Sequence, residues 1–428
     1  MSGVTQERVC VLGLGYIGLP TAVVLSTRGV DVIGVDVNAD VVASVNRGEV
    51  LFVEPDLAVA VSGAVAMGRL SARSEPVPAD AFIIAVPTPL TSAAKPDLSY
   101  VEAATQSIAT QLRGGEVVIL ESTSPPGTTE QVSRWLAQLR PDLRFPHEGK
   151  GGTDVFVAHC PERVIPGRTM IEILTNNRVV GGVGPACAER AAGLYRIFCQ
   201  GDIVLTDAAS AEMAKLVENS YRDVNIAFAN ELSAICDHLR LDVWEVIQLA
   251  NLHPRVNILE PGPGVGGHCI AVDPWFLVAA TPNESRLIRM AREVNDFKPE
   301  RIVAQVATSA SRFREPIIAC LGLSYKANID DLRESPAVTI VAELSRRLPE
   351  ASLLVAEPHV DDLPAPLRDL ANVRLVSAGE AVDTADIVVL LVDHDQFDAV
   401  KRVRLDGRVV FDTRGFWRNR IRSRSAGA

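Results

Sequence analysis

One glycine-rich segment combines several residues that can do chemistry. Cys269 stands in PGPGVGGHCIAVDPWF, which spans residues 261–276 and contains four glycines. Because glycine lets a backbone approach a ligand closely, we expect this loop to leave the thiol accessible. A thiol is only a few per cent ionised at neutral pH, so a nucleophilic Cys269 needs a nearby cation or hydrogen-bond donor. The other six cysteines are interpreted as buried small hydrophobic residues.

Lys215 and Asn219 are candidates for that donor role. They are four residues apart in a segment with helical spacing, so they present an ammonium group and an amide on one helix face. Taken alone, the pair is more simply interpreted as a solvated lysine and asparagine on a surface helix.

Two further clusters follow segments that are rich in apolar residues. HCPERVIPG carries Glu162, and LESTSPPGT carries Glu121, Thr123 and Ser124. Ligands of open parallel sheets bind beyond the carboxyl ends of the strands, which is where both clusters are expected to lie. Each cluster alone is also compatible with ordinary turn chemistry.

The segment VCVLGLGYIG has the glycine spacing of a dinucleotide-binding turn. Gly13, Gly15 and Gly18 follow a predicted strand and open a predicted helix, in the pattern GxGxxG. Such a turn brings a pyrophosphate against free N–H groups at the helix N-terminus. Asp36 lies eighteen residues after Gly18, at the end of the second predicted strand, where a carboxylate accepts hydrogen bonds from the adenosine ribose. A carboxylate there repels a 2'-phosphate, so the sequence predicts NAD rather than NADP.

Basic residues collect in the C-terminal part of an acidic chain. Lys326 and Arg333 follow a predicted strand in CLGLSYKANIDDLRESPA, and Arg255 and Arg414 lie in HPRVN and FDTRG. These cations beside a helix N-terminus suit a diphosphate group. The alternative is a local ion pair of Arg333 with Asp330 or Asp331.

Alternating strand and helix patterns at both ends of the chain predict an α/β protein with two doubly wound, Rossmann-like domains. Between them, Ala208 to Leu239 has apolar residues at helical spacing and no Gly or Pro, which predicts one long helix after an Asp207 cap. We expect an NAD-binding domain over 1–207, a central helical dimerisation domain with the catalytic loop over 208–312, and a substrate-binding domain over 313–428.

Composition restricts the class of protein. The chain has 428 residues, 47% of them hydrophobic, and a formal net charge of -11, which argues against nucleic-acid binding by phosphate neutralisation. No stretch has about 20 uninterrupted apolar residues, so no membrane span is expected. Seven cysteines without CxxC spacing predict reduced thiols, no metal site and a cytoplasmic location.

The order of these motifs resembles the UDP-glucose/GDP-mannose dehydrogenase family over essentially the whole chain. The segments that carry the resemblance are the glycine turn, STSPPGT, CPER, AEMAKLVENSYRDVNIAFANE, GGHCIAVDP and YKANIDDLRESP. It implies two oxidations of a UDP-sugar at the 6-position, with two NAD+ consumed and Cys269 holding first a thiohemiacetal and then a thioester.

Residue roles follow from the same resemblance. Catalysis is assigned to Cys269, Lys215, Asn219, Asp273, Glu162 and Thr123. Cofactor binding is assigned to Gly13, Gly15, Tyr16, Ile17, Gly18, Asp36, Pro87, Thr88 and Thr123. Substrate binding is assigned to Glu162, Arg163, Lys215, Asn219, Arg255, Gly264, Gly266, Gly267, Tyr325, Lys326, Arg333 and Arg414. Arg255 is expected to reach the neighbouring subunit's site in a homodimer.

Within the family, His268 and Val272 favour the branch that oxidises N-acetylated hexosamines, with UDP-N-acetyl-D-mannosamine as the expected substrate. UDP-N-acetylglucosamine and UDP-glucose remain alternatives. So does a two-electron hydroxyacid dehydrogenase that uses Lys215 and Asn219 with Cys269 as a bystander. Cys160, beside the PER motif, departs from the small or aromatic residue expected there and is interpreted as structural.

Overall fold

The computed structural model describes residues 8–52, 54–149, 152–165, 167–267, 269–400 and 405–417. The chain divides into two compact units. The first comprises Met1–Glu218 with Trp275–Ala280, and the second comprises Asn219–Pro274 with Thr281–Ala428. Among the described residues, no helix is long and apolar enough to cross a membrane. The division into three domains stays a prediction.

The first unit is built on an eight-stranded sheet. In chain order its elements are β1 (Arg8–Leu12), α1 (Gly18–Thr27), β2 (Asp31–Val35), α2 (Ala39–Asn46), α3 (Leu57–Ala66), β3 (Leu70–Arg73), β4 (Ala81–Ile84), α4 (Ser99–Ile108), β5 (Val117–Leu120), α5 (Thr128–Leu139), β6 (Phe156–His159), α6 (Thr169–Thr175), β7 (Arg178–Gly182), α7 (Pro185–Tyr195) and β8 (Ile203–Asp207). The strand order is β3-β2-β1-β4-β5-β6-β7-β8, and every neighbouring pair is parallel except β6 with β7.

Both faces of this sheet are buried, which explains why its strands are continuously apolar. Val9 and Val11 of β1 pack into one cluster, with Ile83 of β4. Cys10 and Leu12 of the same strand pack into the cluster on the other face. Successive side chains of a strand point to opposite faces, so one short apolar run fills two cores.

The helical part of the chain follows β8. Its helices are α8 (Ala208–Leu239), α9 (Val243–Ala250), α10 (Asp273–Ala280) and α11 (Arg286–Ala310). The long helix has the bounds that the sequence predicts, and Asp207 accepts a hydrogen bond from the Ser210 N–H at 2.9 Å. That bond satisfies one of the free donors of the first turn, as an N-cap does.

The second unit holds a parallel sheet. Its elements are β9 (Ile317–Leu321), α12 (Pro336–Arg347), β10 (Ser352–Ala356), α13 (Ala365–Arg368), β11 (Val373–Leu375), α14 (Ala378–Thr384), β12 (Ile387–Leu390) and β13 (Val409–Asp412). The strand order is β11-β10-β9-β12-β13 with all pairs parallel. Two doubly wound sheets and a helical connector confirm the predicted fold class. The alternation of strands and helices that the sequence predicts at both ends of the chain is present.

Candidate active site

In the glycine turn of the first unit, one of the three glycines has space for a side chain and the other two do not. A Cβ atom on Gly13 would lie 2.5 Å from the Ala85 carbonyl oxygen, and one on Gly18 would lie 1.9 Å from the Gly13 oxygen. A Cβ on Gly15 would meet nothing within 4 Å. Gly13 and Gly18 are therefore required by the turn itself, whereas the space beside Gly15 lets a phosphate approach the backbone.

Asp36 is held at the end of β2 by the turn that precedes α1. Its Oδ2 accepts a hydrogen bond from the Leu14 N–H at 2.9 Å, and its Oδ1 accepts one from the Asn38 N–H at 2.9 Å. The carboxylate is thus fixed in direction and only half-buried. Its charge and position suit an adenosine ribose.

The other residues assigned to the cofactor lie on loops at the same edge of the sheet. Tyr16 stacks on Phe52 with ring centroids 4.2 Å apart, and the Ile17 carbonyl accepts from the Thr21 N–H in the first turn of α1. Pro87 and Thr88 follow β4, and the Thr88 hydroxyl donates to the Thr123 carbonyl at 2.8 Å. That bond ties the loop after β4 to the loop after β5.

Glu162 follows β6 and is held from two sides. Its Oε2 lies 3.0 Å from a guanidinium nitrogen of Arg178, in an ion pair whose side chains are 6% and 4% exposed. Its Oε1 accepts from the Arg163 N–H at 2.8 Å. The Arg163 side chain itself pairs with Glu218 at 2.5 Å.

Lys215 lies on α8 near the carboxyl end of β6. Burial is the main cause that lowers the pKa of His159, the last residue of β6, to about 3, and the Lys215 ammonium adds to the effect. One turn earlier, Glu212 accepts hydrogen bonds of 2.6 Å from the Gly127 N–H and from the N–H and hydroxyl of Thr129. Glu212 therefore joins the start of α8 to the N-terminus of α5 and fixes the turn that carries Lys215.

In the second unit, Asn219, Cys269 and Asp273 come together. The Cys269 carbonyl accepts from the N–H groups of Val272 at 3.0 Å and Asp273 at 2.8 Å, so the cysteine opens the turn that becomes α10. Asp273 is 3% exposed, and its Oδ2 accepts from the Asn219 side chain at 2.5 Å. Cys269 is partly exposed, whereas Cys10, Cys160, Cys187, Cys236 and Cys320 are buried. Cys199 is also only partly buried, so the prediction of six buried cysteines is wrong at this position. His268 lies outside the described residues.

The glycine loop before Cys269 packs on the segment that carries Tyr325 and Arg333. A Cβ on Gly266 would lie 2.7 Å from the Tyr325 Cβ, and one on Gly267 would lie 3.0 Å from the Tyr325 ring. The Gly267 N–H donates to the Arg333 carbonyl at 3.3 Å. Gly264 has φ +142 and leaves room for Pro336. These glycines are explained by close packing within the protein.

The four predicted cations of the second unit differ in their surroundings. Arg333 pairs with Asp331 at 2.6 Å, and Arg414 pairs with Asp393 at 3.0 Å. A Cβ on Gly262 would lie 2.6 Å from an Arg414 nitrogen, so Arg414 reaches the glycine loop. Lys326 and Arg255 are exposed. Of these cations, the structure brings Arg333 and Arg414 to the loop.

A buried polar network anchors the start of the same loop. The Asn230 side chain accepts from the Gly262 N–H at 2.9 Å and donates to Asn295 at 2.9 Å. Asn295 donates to Asp223 at 2.8 Å, and Arg292 pairs with Asp223 at 2.6 Å. The side chains of α8 and α11 thereby hold the loop through its backbone.

The chain is similar to known proteins over most of its length. The NAD binding, central and UDP binding domains of the UDP-glucose/GDP-mannose dehydrogenase family match residues 7–199, 209–297 and 319–419. The chain belongs to this family. It is an NAD-dependent oxidoreductase that acts on a nucleotide-linked sugar.

Individual members of the family are similar over nearly the full length. An NDP-N-acetyl-D-galactosaminuronic acid dehydrogenase of Ralstonia nicotianae is 57% identical over 409 residues, which cover 96% of each chain. The UDP-N-acetyl-D-mannosamine dehydrogenase of Escherichia coli K12 is 53% identical over 418 residues, 96% of this chain and 99% of the relative. The solved UDP-D-ManNAc dehydrogenase of Pyrococcus horikoshii is 38% identical, with a TM-score of 0.85 and 96% of both chains covered.

Sequence reasoning missed the groups that hold the family's motifs in place. Arg178 stands in a segment without a motif, whereas Glu212 and Asn230 lie in the segment AEMAKLVENSYRDVNIAFANE and were assigned no role there. The signal that was available for Glu212 is its place three residues before Lys215 on a helix. Arg178 had no such signal, because a lone arginine in a sequence is interpreted as a surface residue.

Proposed function

We propose that this family member oxidises a UDP-linked N-acetylhexosamine at the sugar 6-position to the uronate, through a covalent intermediate on Cys269. The observation that carries the proposal is the grouping in the second unit. A partly exposed Cys269 opens the turn whose end, Asp273, is buried and bound to Asn219. A thiol, a carboxylate and an amide donor are the parts that capture and oxidation of an aldehyde require.

The first oxidation converts the 6-hydroxyl to an aldehyde. Lys215 and Asp273 hold a water that takes the hydroxyl proton while a hydride leaves C6. NAD+, which the open space at Gly15 and the carboxylate of Asp36 fit, supplies the acceptor for each hydride. The Cys269 sulfur then adds to the aldehyde carbon, which keeps the reactive aldehyde from escaping.

The second oxidation and the hydrolysis complete the reaction. The thiohemiacetal on Cys269 loses a hydride from C6 while its hydroxyl proton passes to the water held by Lys215 and Asp273, which gives a thioester. Lys215 and Asn219 donate hydrogen bonds to the developing oxyanion. Glu162 then takes a proton from a water ordered by Thr123, and that water cleaves the thioester to the carboxylate. Tyr325, Arg333 and Arg414, which lie against the glycine loop, bind the UDP group.

Two observations support an N-acetylated sugar. The names of the Ralstonia and Escherichia relatives both refer to an N-acetylated hexose derivative. Val272, one of the two residues that favour that branch, lies in the Cys269 turn. UDP-N-acetyl-D-mannosamine is the first candidate, and the assay below decides the configuration of the sugar at its 2- and 4-positions.

The deciding measurement is the amount of NADH formed per mole of sugar consumed, with UDP-N-acetyl-D-mannosamine, UDP-N-acetyl-D-glucosamine, UDP-N-acetyl-D-galactosamine and UDP-glucose assayed side by side. A ratio near two with one of the N-acetylated sugars supports the proposal. A ratio near one indicates a two-electron dehydrogenase, and a preference for UDP-glucose overturns the substrate class.

A homodimer is proposed as the working form. Tyr221, Phe228 and Ile235 recur every seven residues on α8 and are 71%, 57% and 47% exposed. Met290 and Phe297 of α11 repeat the spacing and are 57% and 63% exposed. Apolar side chains at this density call for a partner surface, and a second copy of the chain supplies a matching one.

The dimer proposal includes exposed Arg255, which acts in the neighbouring subunit's site. Arg255→Ala and Cys269→Ala chains carrying different tags are coexpressed, and the mixed dimer is purified. If each site takes Cys269 from one chain and Arg255 from the other, the mixed dimer has one intact site and about half of wild-type activity. An inactive mixed dimer contradicts sharing of the site.

The free thiols support a reducing compartment, and we propose the cytoplasm.

A further inference from the structure

Glu162 belongs to a buried cluster of side chains in the first unit. It is built from the ends of four elements and contains Glu121, Cys160, Glu162, Arg178 and Tyr195, each less than 9% exposed. Its centre is the Arg178 guanidinium, the first side chain of β7. Glu121, Cys160 and Glu162 lie in the motifs LESTSPPGT and HCPERVIPG, whereas no motif contains Arg178 or Tyr195.

Arg178 is fixed by several contacts at once. It pairs with Glu162 at 3.0 Å, donates to the Ile173 carbonyl at 3.1 Å, and lies 4.8 Å from the centre of the Tyr195 ring and 5.1 Å from that of Phe198. A guanidinium between two rings and a carbonyl has one orientation, which a flexible ammonium group would not keep.

The pairing also sets the charge and direction of Glu162. One oxygen accepts from the Arg178 side chain and the other from the Arg163 N–H, so both oxygens are held. A buried carboxylate needs a paired cation to stay ionised, and Arg178 is in contact with it. The neighbouring Cys160 does not compete with Glu162 for the Arg178 guanidinium. Burial raises the pKa of the Cys160 thiol to about 12, so the thiol carries no charge near neutral pH.

We propose that Arg178 is a positioning residue for the hydrolytic step, which keeps Glu162 ionised and aimed so that it accepts the proton of the attacking water. The inference rests on the proposed role of Glu162. In that step the water oxygen bonds to the thioester carbon, and one water proton passes to Glu162. The carbon–sulfur bond then breaks with its electron pair on sulfur, and Glu162 returns the proton to the thiolate. No electron acceptor takes part.

This assignment predicts a defect confined to hydrolysis. Both oxidations precede the step, so an enzyme with a misplaced Glu162 completes them once and then stalls as the thioester. Arg178→Lys keeps the positive charge and loses the planar contacts, and Arg178→Met removes the charge. Arg196→Met is the matched control, because Arg196 is an exposed arginine of the same unit that pairs with Glu189.

The test combines rapid-mixing measurement of NADH with intact-protein mass spectrometry of the quenched enzyme. For Arg178→Lys we expect a burst of about two NADH per active site, a covalent sugar adduct, and a steady-state kcat lowered about 10- to 100-fold with kcat/KM for NAD+ unchanged. Arg196→Met should behave as wild type. A uniform loss of all phases, or a wild-type steady state, overturns the positioning role.

Glu162→Gln separates this inference from the proposed function. If Glu162→Gln accumulates the adduct and Arg178→Lys does not, only the role of Arg178 is wrong. If Glu162→Gln forms no adduct either, the proposed hydrolytic role of Glu162 is wrong, and the role of Arg178 that depends on it is wrong as well. Thermal unfolding of each variant is measured in parallel, and if Arg178→Met does not fold, Arg178→Lys decides.

Discussion

The Asn219 side chain donates a hydrogen bond of 2.5 Å to the Asp273 carboxylate, which is buried at the start of α10. The Asp273 backbone N–H in turn donates to the Cys269 carbonyl at 2.8 Å. One residue of the long helix α8 therefore sets the direction of a carboxylate and, through it, supports the turn of the proposed nucleophile. A change at Asn219 alters Asp273 without touching the thiol.

Asn219→Asp should remove most activity. It places two carboxylates within hydrogen-bond distance, so one must take up a proton or move away. We expect kcat/KM to fall about 100-fold, because the donor to the oxyanion is lost and the neighbouring carboxylate is displaced. Asn225→Asp, two turns along the same helix, is the control and should leave the rate unchanged. Steady-state assays with NAD+ suffice, and wild-type kinetics for Asn219→Asp would contradict the assignment.

Gly15 and Gly18 should respond differently to the same added methyl group. Gly18→Ala drives a Cβ to 1.9 Å from the Gly13 carbonyl oxygen, so we expect a loss of folded protein or a marked fall in Tm. Gly15→Ala meets nothing within 4 Å. Its Tm should be unchanged while the KM for NAD+ rises about tenfold, because the methyl group occupies the space for the pyrophosphate. Equal effects on Tm would contradict this interpretation of the turn.

Much of the first unit was predictable because its signals are local. The glycine turn, Asp36 and the Asp207 cap each depend on residues close together in sequence, and a run without Gly or Pro gave the bounds of α8. The fold class followed from the alternation of strand and helix at both ends. Such features need no knowledge of the partner across the sheet.

The supporting contacts were not predictable, because they join distant segments. Arg178 meets Glu162 only because β7 runs antiparallel beside β6, a pairing that the sequence does not specify. Asn230 reaches the Gly262 N–H across 32 residues. The glycines at 264, 266 and 267 were predicted to bind substrate, a role that stays a prediction, and the sequence did not show that Tyr325, Glu334 and Pro336 pack against them. A sequence shows that space is needed and does not show what fills it.

Asp36 should control the choice of cofactor. Asp36→Ala removes the charge that repels a 2'-phosphate and the acceptor for the ribose. We expect kcat/KM for NAD+ to fall about 10- to 100-fold and the ratio of NADP+ to NAD+ use to rise. Asp40→Ala, an exposed aspartate in the first turn of α2, is the control. An unchanged cofactor ratio in Asp36→Ala would show that the carboxylate does not face the ribose.

Asn230→Ala should weaken catalysis more than folding. The change leaves the Gly262 N–H and the Asn295 side-chain oxygen without the Asn230 partner, and one unsatisfied buried group costs about 1–3 kcal/mol. The loop before Cys269 loses its anchor, so we expect kcat to fall about tenfold with an intact fold. Circular dichroism and kcat measured together check this, and a lower Tm with unchanged kcat would show that the network serves stability alone.

Glu121 should make the first unit less stable as the pH rises through neutrality. Burial is the main cause that raises the pKa of Glu121 from 4.5 to about 7, with repulsion from Glu162 adding to it. The folded protein therefore keeps a proton that the unfolded chain loses above pH 4.5. Stability from this group is fully present below that pH and declines until about pH 7. A shift of this size corresponds to on the order of 3 kcal/mol at pH 8.

Glu121→Gln removes this titration and keeps a neutral side chain for the hydroxyls of Tyr195 and Thr21, which donate to Glu121 at 2.7 and 3.3 Å. At pH 5 the variant should match wild type, because Glu121 is then protonated as well. At pH 8 its Tm should be higher than that of wild type by roughly 5 °C. Glu75→Gln, at an exposed position of the same unit, should show no such difference. Since Glu212, whose pKa burial also raises to about 7, titrates in both proteins, its contribution cancels in the comparison. A variant less stable than wild type at pH 8 would mean that the Glu121 charge, held near Arg178, stabilises the fold.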